Sequence, residues 1–245
     1  TPANTCIAIA GDVTKETALA AVNSAFAGFD KIHPNKAVED NAASAMPAHV
    51  DPTVRKYAWQ QSSKAFLMIG FPAVNSSRLR DVCAMDTLLA ICGDTYRGRI
   101  SSALTSAKIP FDVVLTDFVT QKYPGLFYVL VSISPSDEDK AASVVLGEFR
   151  KLATLPVGAG ELAEGKARVE GGDLYELETF SGQARLLGMY ETIASYDQLL
   201  DRKPTIDGLT ASDITSTAKT FFSGDNYTLV VLEPEDKAKT ASGQQ

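Results

Sequence analysis

The chain has 245 residues, of which 45% are hydrophobic and 22% charged, a composition typical of a globular protein with a substantial core. Its net charge of −7 and the lack of a basic stripe argue against nucleic acid as the main partner. No apolar run reaches the roughly 18 residues that a membrane-spanning helix needs, so we expect no membrane span.

The two ends of the chain resemble each other. Asn4-Thr-Cys-Ile-Ala-Ile-Ala-Gly-Asp near the start and Asn226-Tyr-Thr-Leu-Val-Val-Leu-Glu-Pro near the end both run from an Asn through apolar, strand-type residues to a turn residue and an acid. Two copies of a terminal strand predict that residues 1–30 are the strand-helix tail of a preceding module. Any chemistry of that module then lies outside this sequence.

The first elements follow from that pattern. A strand is predicted over residues 4–11, and a helix runs from Asp12 or Thr14, either of which is a plausible N-cap, to about Gly28. Residues 31–55 lose periodicity and are rich in Asn, Ala and Asp, so they are interpreted as a linker. Residues 56–235 form the main domain, and the polar residues 236–245 are expected to be disordered.

The main domain mixes strands and helices without regular alternation. Predicted strands are Lys56–Gln60 paired with Lys64–Phe71, then Phe111–Thr120, Leu126–Ser134 and 226–233; predicted helices are Arg78–Ile91, Gly98–Ser106, 136–153, 160–177, 179–194 and 210–222. This order predicts an α+β sandwich, a mostly antiparallel sheet with helices on one face, rather than a parallel sheet.

Few residues have the spacing of a catalytic site. His33 and His49 are the two histidines, and neither has a Glu or second His at the spacing of a zinc-binding helix. The three cysteines, Cys6, Cys83 and Cys92, fit neither a zinc knuckle nor a redox pair and are interpreted as buried apolar residues. We therefore assign no catalytic residue and no metal ligand to this chain.

Two further patterns have ordinary structural interpretations. The segment Gly93-Asp-Thr-Tyr-Arg-Gly-Arg-Ile100 has the two glycines of a phosphate loop, but it follows a helix and lacks the Lys and the metal-binding hydroxyl. We expect a helix C-cap leading into a loop. The acids between Glu161 and Glu178, interleaved with Lys166 and Arg168, are typical of a solvated helix face with opposite-charge pairs.

Six segments follow one another along the chain in a specific order and spacing. They are Asn4 to Phe29, Glu161-Leu-Ala-Glu-Gly-Lys166, Glu178-Thr-Phe-Ser-Gly-Gln-Ala-Arg-Leu-Leu-Gly-Met-Tyr-Glu191, Leu209-Thr-Ala-Ser-Asp213, the helix end at 218–222, and Asn226-Tyr-Thr-Leu-Val-Val. Together they resemble the C-terminal module of the pitrilysin/insulinase-type (M16) zinc peptidases. The resemblance covers about residues 3–235. It implies that residues 1–30 close a first half-domain homologous to the one that follows.

The resemblance also implies a function. In this family two half-domains close around an unfolded peptide, and the first half holds zinc through His-x-x-Glu-His and a distal Glu. A zinc-bound water attacks the peptide carbonyl. The implied cofactor is thus zinc in a missing first half or a partner subunit, with none in this chain. The implied partners are that half-domain or subunit and an unfolded peptide.

The second half of such proteins usually supplies an Arg and a Tyr that contact substrate near the metal. The matching positions here are Thr105 and, across a one-residue deletion, Phe111. A Thr offers no charge and a Phe ring donates no hydrogen bond to an oxyanion. Both substrate-contact positions are therefore degenerate.

Two functions remain open at this point. The chain is either the substrate-chamber domain of an M16 zinc metallopeptidase or a catalytically silent M16-like subunit beside an active partner. On either hypothesis we expect the chain alone to be inactive. Bacterial relatives are often exported, which favours the periplasm or envelope, and the cytoplasm stays possible.

Overall fold

The structure is a computed structural model that describes residues 2, 5–31, 52–59, 62–222 and 226–235. The predicted linker lies mostly outside these residues, and so do the tail at 236–245, His33 and His49. Within them, helices and a five-stranded sheet follow one another as α1 Lys15–Ala25, β1 Thr53–Trp59, β2 Ala65–Pro72, α2 Leu79–Cys92, α3 Arg99–Ser106, β3 Phe111–Phe118, β4 Leu126–Ile133, α4 Glu138–Thr154, α5 Ala159–Leu177, α6 Phe180–Ile193, α7 Tyr196–Asp207, α8 Ala211–Phe222 and β5 Thr228–Pro234.

The sheet has the strand order β1-β5-β2-β4-β3. β5 is parallel to β1 and antiparallel to β2, and the β2–β4 and β3–β4 pairs are antiparallel. The α+β class with a mostly antiparallel sheet is therefore confirmed. The predicted pairing of β1 with β2 is wrong, because the last strand of the chain inserts between them.

The helices pack on one face of the sheet, where the core lies. Along β2 the side chains of Ala65, Leu67, Ile69 and Phe71 are buried, and the intervening residues mostly are not. Four phenylalanines from different elements meet beneath the helices with ring centroids 4.7 to 5.8 Å apart: Phe71, Phe127, Phe149 and Phe222. Strand alternation thus separates a packed face from an open one.

The N-terminal segment differs from its prediction. Residues 5–10 form no strand, although the helix after them begins as predicted, with Thr14 as N-cap accepting from the Thr17 amide. The segment passes close to α6, since a Cβ added at Gly188 would lie 3.4 Å from the Ala8 Cβ. Ile7, Ile9 and Leu19 are about half exposed. Residues with high strand propensity form a strand only when another strand pairs with their backbone, so propensity alone does not decide the structure.

The sequence did not predict helix α7. Its interior Pro204 and polar composition argue against a helix. The helix is held instead by its buried Arg202, whose guanidinium bonds to Asp86 on α2 and Asp173 on α5. Tertiary contacts override the local signal here.

Candidate functional site

The face of the sheet opposite the helices is the candidate site, and we call it the open sheet face. Strand register places its side chains together, since residues paired across a ladder lie on the same face. Its residues are Arg55, Tyr57 and Trp59 on β1, Val230 and Leu232 on β5, Phe66 and Met68 on β2, Tyr128 and Leu130 on β4, and Val113, Leu115 and Asp117 on β3.

Most of this face is apolar and reachable from solvent. The side chains on β2, β4 and β5 are half-buried, and those at the sheet's two edges are more exposed, with Tyr57 at 49%, Trp59 at 40% and Leu115 at 44%. The Trp59 ring packs against Phe66 with centroids 5.5 Å apart. A contiguous apolar surface of this kind is typical of a region that contacts another molecule or domain.

One hydrogen-bonded pair places polarity on the open sheet face. The Tyr128 hydroxyl donates to the Asp117 carboxylate at 3.0 Å. Partial desolvation and this bond raise the pKa of Tyr128, so the phenol stays protonated at neutral pH. The pair can therefore orient a polar group of a bound chain.

The structure places Thr105 and Phe111 at the two ends of a short connection between α3 and β3. The Thr105 hydroxyl donates to the Ser101 carbonyl one turn earlier in α3, at 2.8 Å. Phe111 is partly buried, packs against the core and pairs with Ile133. Neither side chain projects a charge or a free hydrogen-bond donor, and whether they contact substrate stays a prediction.

Metal ligands are not grouped in the described part of the chain. No cluster of three or more His, Cys, Asp or Glu residues is placed to hold a metal ion there. The three cysteines are free; Cys83 and Cys92 are buried and Cys6 is exposed, so the prediction of three buried thiols is wrong for Cys6. Burial raises the pKa of Cys83 and of Cys92 to about 12, which makes both thiols poor nucleophiles.

The glycine-flanked loop Gly93–Gly98 is not built for phosphate. The Asp94 carboxylate accepts from the Tyr96 and Arg97 amides at 2.8 and 3.0 Å, so the loop's own side chain occupies donors that a phosphate needs. Gly93 and Gly98 have φ of +80° and +123°, and a Cβ on either would lie within 2.5 Å of opposing backbone. The expected helix C-cap at Gly93 is present, bonded to Leu89.

That loop is fastened to the outer edge of β3. The Thr95 hydroxyl accepts from the Val114 amide at 2.9 Å and lies 3.2 Å from the Val114 carbonyl. The Thr116 hydroxyl donates to the Gly93 carbonyl at 2.6 Å. The loop therefore covers the middle of an edge strand, and the sequence gives no sign of this contact.

A cleft of about 650 Å³ lies in the helix layer, away from the open sheet face. Its charges are largely paired: Arg99 binds Glu161 at 2.6 Å and lies 3.8 Å from Glu148, and Arg168 binds Glu164 at 2.6 Å. The acids of α5 thus do more than line a solvated face, because Glu161 links α5 to α3. These ion pairs hold helices together and leave little charge for a ligand.

Comparison with known proteins identifies the family. The profile described as "Peptidase M16 inactive domain" matches residues 1–169. The chain therefore belongs to this family, as the motifs between Asn4 and Asn226 indicated. The search of curated proteins found no match.

Solved structures share the fold. A protease from Helicobacter pylori matches with a TM-score of 0.79 and 18% identity over 92% of this chain and 54% of its own. A peptidase M16 inactive domain from Pseudomonas fluorescens matches at 0.74 and 18%, over 92% and 52%. Complex III from Candida albicans matches at 0.71 and 13%, over 91% and 53%. The chain thus spans about half the length of these structures.

Within the described ranges, no helix combines the length and apolar character needed to cross a bilayer.

Proposed function

We propose that this chain is the non-catalytic half of a two-half M16 chamber. A homologous first half, on the same polypeptide or on a partner subunit, supplies zinc and the catalytic base. The observation that carries the proposal is the open sheet face, which forms an apolar wall. The chain that carries this wall spans about half the length of the structures it resembles. An unfolded peptide is the substrate that such a wall suits, because it exposes apolar side chains and backbone groups together.

The N-terminal segment supports a first half as neighbour. Residues 5–10 have strand composition without a described strand beside them, and α1 has no buried residue. Burying the exposed apolar surface of a short strand-helix unit against a neighbouring domain lowers the free energy of the folded state. We propose that the first half covers it, with residues 5–10 completing that half's sheet.

A catalytically silent M16-like subunit is the second candidate. The Thr105 and Phe111 positions favour it, since neither side chain offers the charge or hydroxyl of the family's substrate-contact pair. In that case the chain acts structurally or holds peptide beside an active partner. The two candidates differ in whether the first half carries His-x-x-Glu-His.

Reconstitution tests the proposal. The chain is co-purified with its first half, and cleavage of a quenched fluorescent unfolded peptide is measured for each half and for the pair. We expect cleavage by the pair alone, and no zinc-dependent cleavage by this chain. Cleavage by the first half alone at the rate of the pair would show that this half contributes no chamber wall.

A further inference from the structure

The two edge strands of the sheet differ in regularity and in what covers their outer side. At one edge, β3 has its middle residue Val114 bonded on the outer side to Thr95, and its register shifts between Phe111 and Val113. Such covering and irregularity prevent another strand from adding to an edge. At the other edge, β1 is regular and pairs with β5 over all seven residues, Thr53 to Trp59.

The outer side of β1 presents a row of backbone groups. The Thr53 amide donates to the Tyr227 carbonyl on the β5 side at 3.2 Å. Because backbone groups alternate in direction along a strand, those of Val54, Lys56 and Ala58 point away from β5. Residues 54–59 are exposed along their whole length. In the part of the chain that the structure describes, β5 is the only strand paired with β1.

The side chains of β1 indicate which residues would suit a strand that paired along this outer side. Arg55, Tyr57 and Trp59 lie on the open sheet face, and Trp59 is braced by Phe66. Among the described residues, no ion pair involves Arg55, whereas the Lys56 ammonium binds Glu138 and Glu233 at 2.9 Å each. Arg55 is thus the charge available to a neighbouring strand, and an acid opposite it is favoured.

A second copy of this chain fits the edge poorly. Antiparallel pairing of two β1 strands about their central residue, Lys56, places Tyr57 of the second copy, not an acid, opposite Arg55. A lysine in an edge strand is a common means of resisting such self-pairing. A short extended peptide can place an acid at that position.

We propose that the outer edge of β1 binds an extended peptide segment by strand addition, with β-branched side chains against Tyr57 and Trp59 and an acidic side chain opposite Arg55. The choice of a peptide as occupant rests on the proposed function. The inference adds the place of binding, its backbone register and its charge preference.

The test uses the 245-residue chain and a fluorescein-labelled peptide of alternating Thr and Val with one central Asp. Binding of the peptide is measured by its fluorescence anisotropy. A58P removes an outward amide without touching the β5 ladder, and A58T keeps that amide. We expect A58P to weaken binding about tenfold or more, the cost of losing a ladder bond and fitting the ring, and A58T to bind within about twofold of wild type.

A peptide control and a charge swap keep the test independent of how A58P folds. Two versions of the peptide are N-methylated, one on the odd-numbered amides and the other on the even-numbered amides. Only one version loses binding, because only one edge of the peptide faces β1. R55E weakens the Asp peptide and strengthens a matched Lys peptide. Equal binding by A58P and A58T, or by both N-methylated peptides and the parent, overturns the proposal.

Failure here is distinguishable from failure of the proposed function. The two halves can cleave peptide whether or not A58P weakens binding. If the reconstituted pair is active and peptide binding does not depend on β1, only the strand-addition site is rejected. Sedimentation showing a wild-type dimer that A58P abolishes would assign the edge to a second copy and also reject it.

Discussion

The Arg202 guanidinium donates to the Asp86 carboxylate at 2.7 Å, joining α7 to α2 inside the helix layer. The same guanidinium bonds to Asp173 on α5 at 2.6 Å. Burial raises the pKa of Asp86, and the adjacent guanidinium opposes that rise. This one cation therefore links α7, α2 and α5 to one another.

Removing Arg202 should destabilise the domain strongly. R202A leaves Asp86 buried without its cation, so we expect the free energy of unfolding to fall by about 3 to 5 kcal/mol. The control R202L/D86L removes both charges and should recover part of that loss. Urea unfolding followed by circular dichroism measures both, and equal stability of R202A and wild type would contradict the assigned role.

The Arg80–Asp213 pair predicts a pH dependence. The Arg80 hydrogen bond, with the Thr210 donors at the start of α8, lowers the pKa of Asp213 below its ordinary value near 4. A depressed folded-state pKa gives stability that is present above the unfolded pKa and lost as pH falls through the folded one. D213N should thus melt lower than wild type at pH 7, and the gap in Tm should narrow below about pH 3. A gap that widens in acid would reject this linkage.

Gly98 is expected to tolerate no side chain. A Cβ there would lie 2.4 Å from the Cys92 carbonyl oxygen, and φ is +123°. G98A should therefore lower Tm markedly. Gly171, inside α5 with open space around its Cβ position, is the matched control. G171A should be neutral or stabilising by up to about 1 kcal/mol.

Restoring the degenerate pair tests the motif match. T105R/F111Y, assayed with an active first half, should raise kcat/KM for an unfolded peptide, because a charge and a hydroxyl return to the two positions that the family resemblance matches to a substrate-contact pair. T105K/F111Y controls for charge without the planar guanidinium. No change in kcat/KM with an intact fold would show that the match of Thr105 and Phe111 across the one-residue deletion is misplaced.

The sequence predicted most elements but not their arrangement. The helix beginning at Thr14 and the one after Thr210 followed from local signals, N-cap residues and apolar periodicity, which act over a few residues. The insertion of β5 between β1 and β2 depends on contacts across most of the chain, and α7 depends on the burial of Arg202. The insertion of β5 leaves no local signal. Helix α7 does leave one, the N-cap Ser195 that accepts from the Asp197 amide, but its interior Pro204 argues against a helix.

The candidate site was predictable only in part. Thr105 and Phe111 were found from the family resemblance, and no periodicity pointed to them. The aromatic residues Tyr57, Trp59, Phe66 and Phe71 alternate with strand periodicity, a pattern that favours core packing over a ligand site. Core packing is right for Phe71, whereas the register places the other three rings on the open sheet face. Strand alternation separates two faces, but it does not tell which face the helices cover.

We propose that this chain by itself binds no catalytic metal. The most direct test is metal analysis of the purified chain after dialysis against zinc, together with a peptidase assay on an unfolded peptide. We expect no stoichiometric zinc and no cleavage for the chain alone, with zinc at one equivalent when the first half is present. One tightly held zinc per chain in the absence of that half would contradict it.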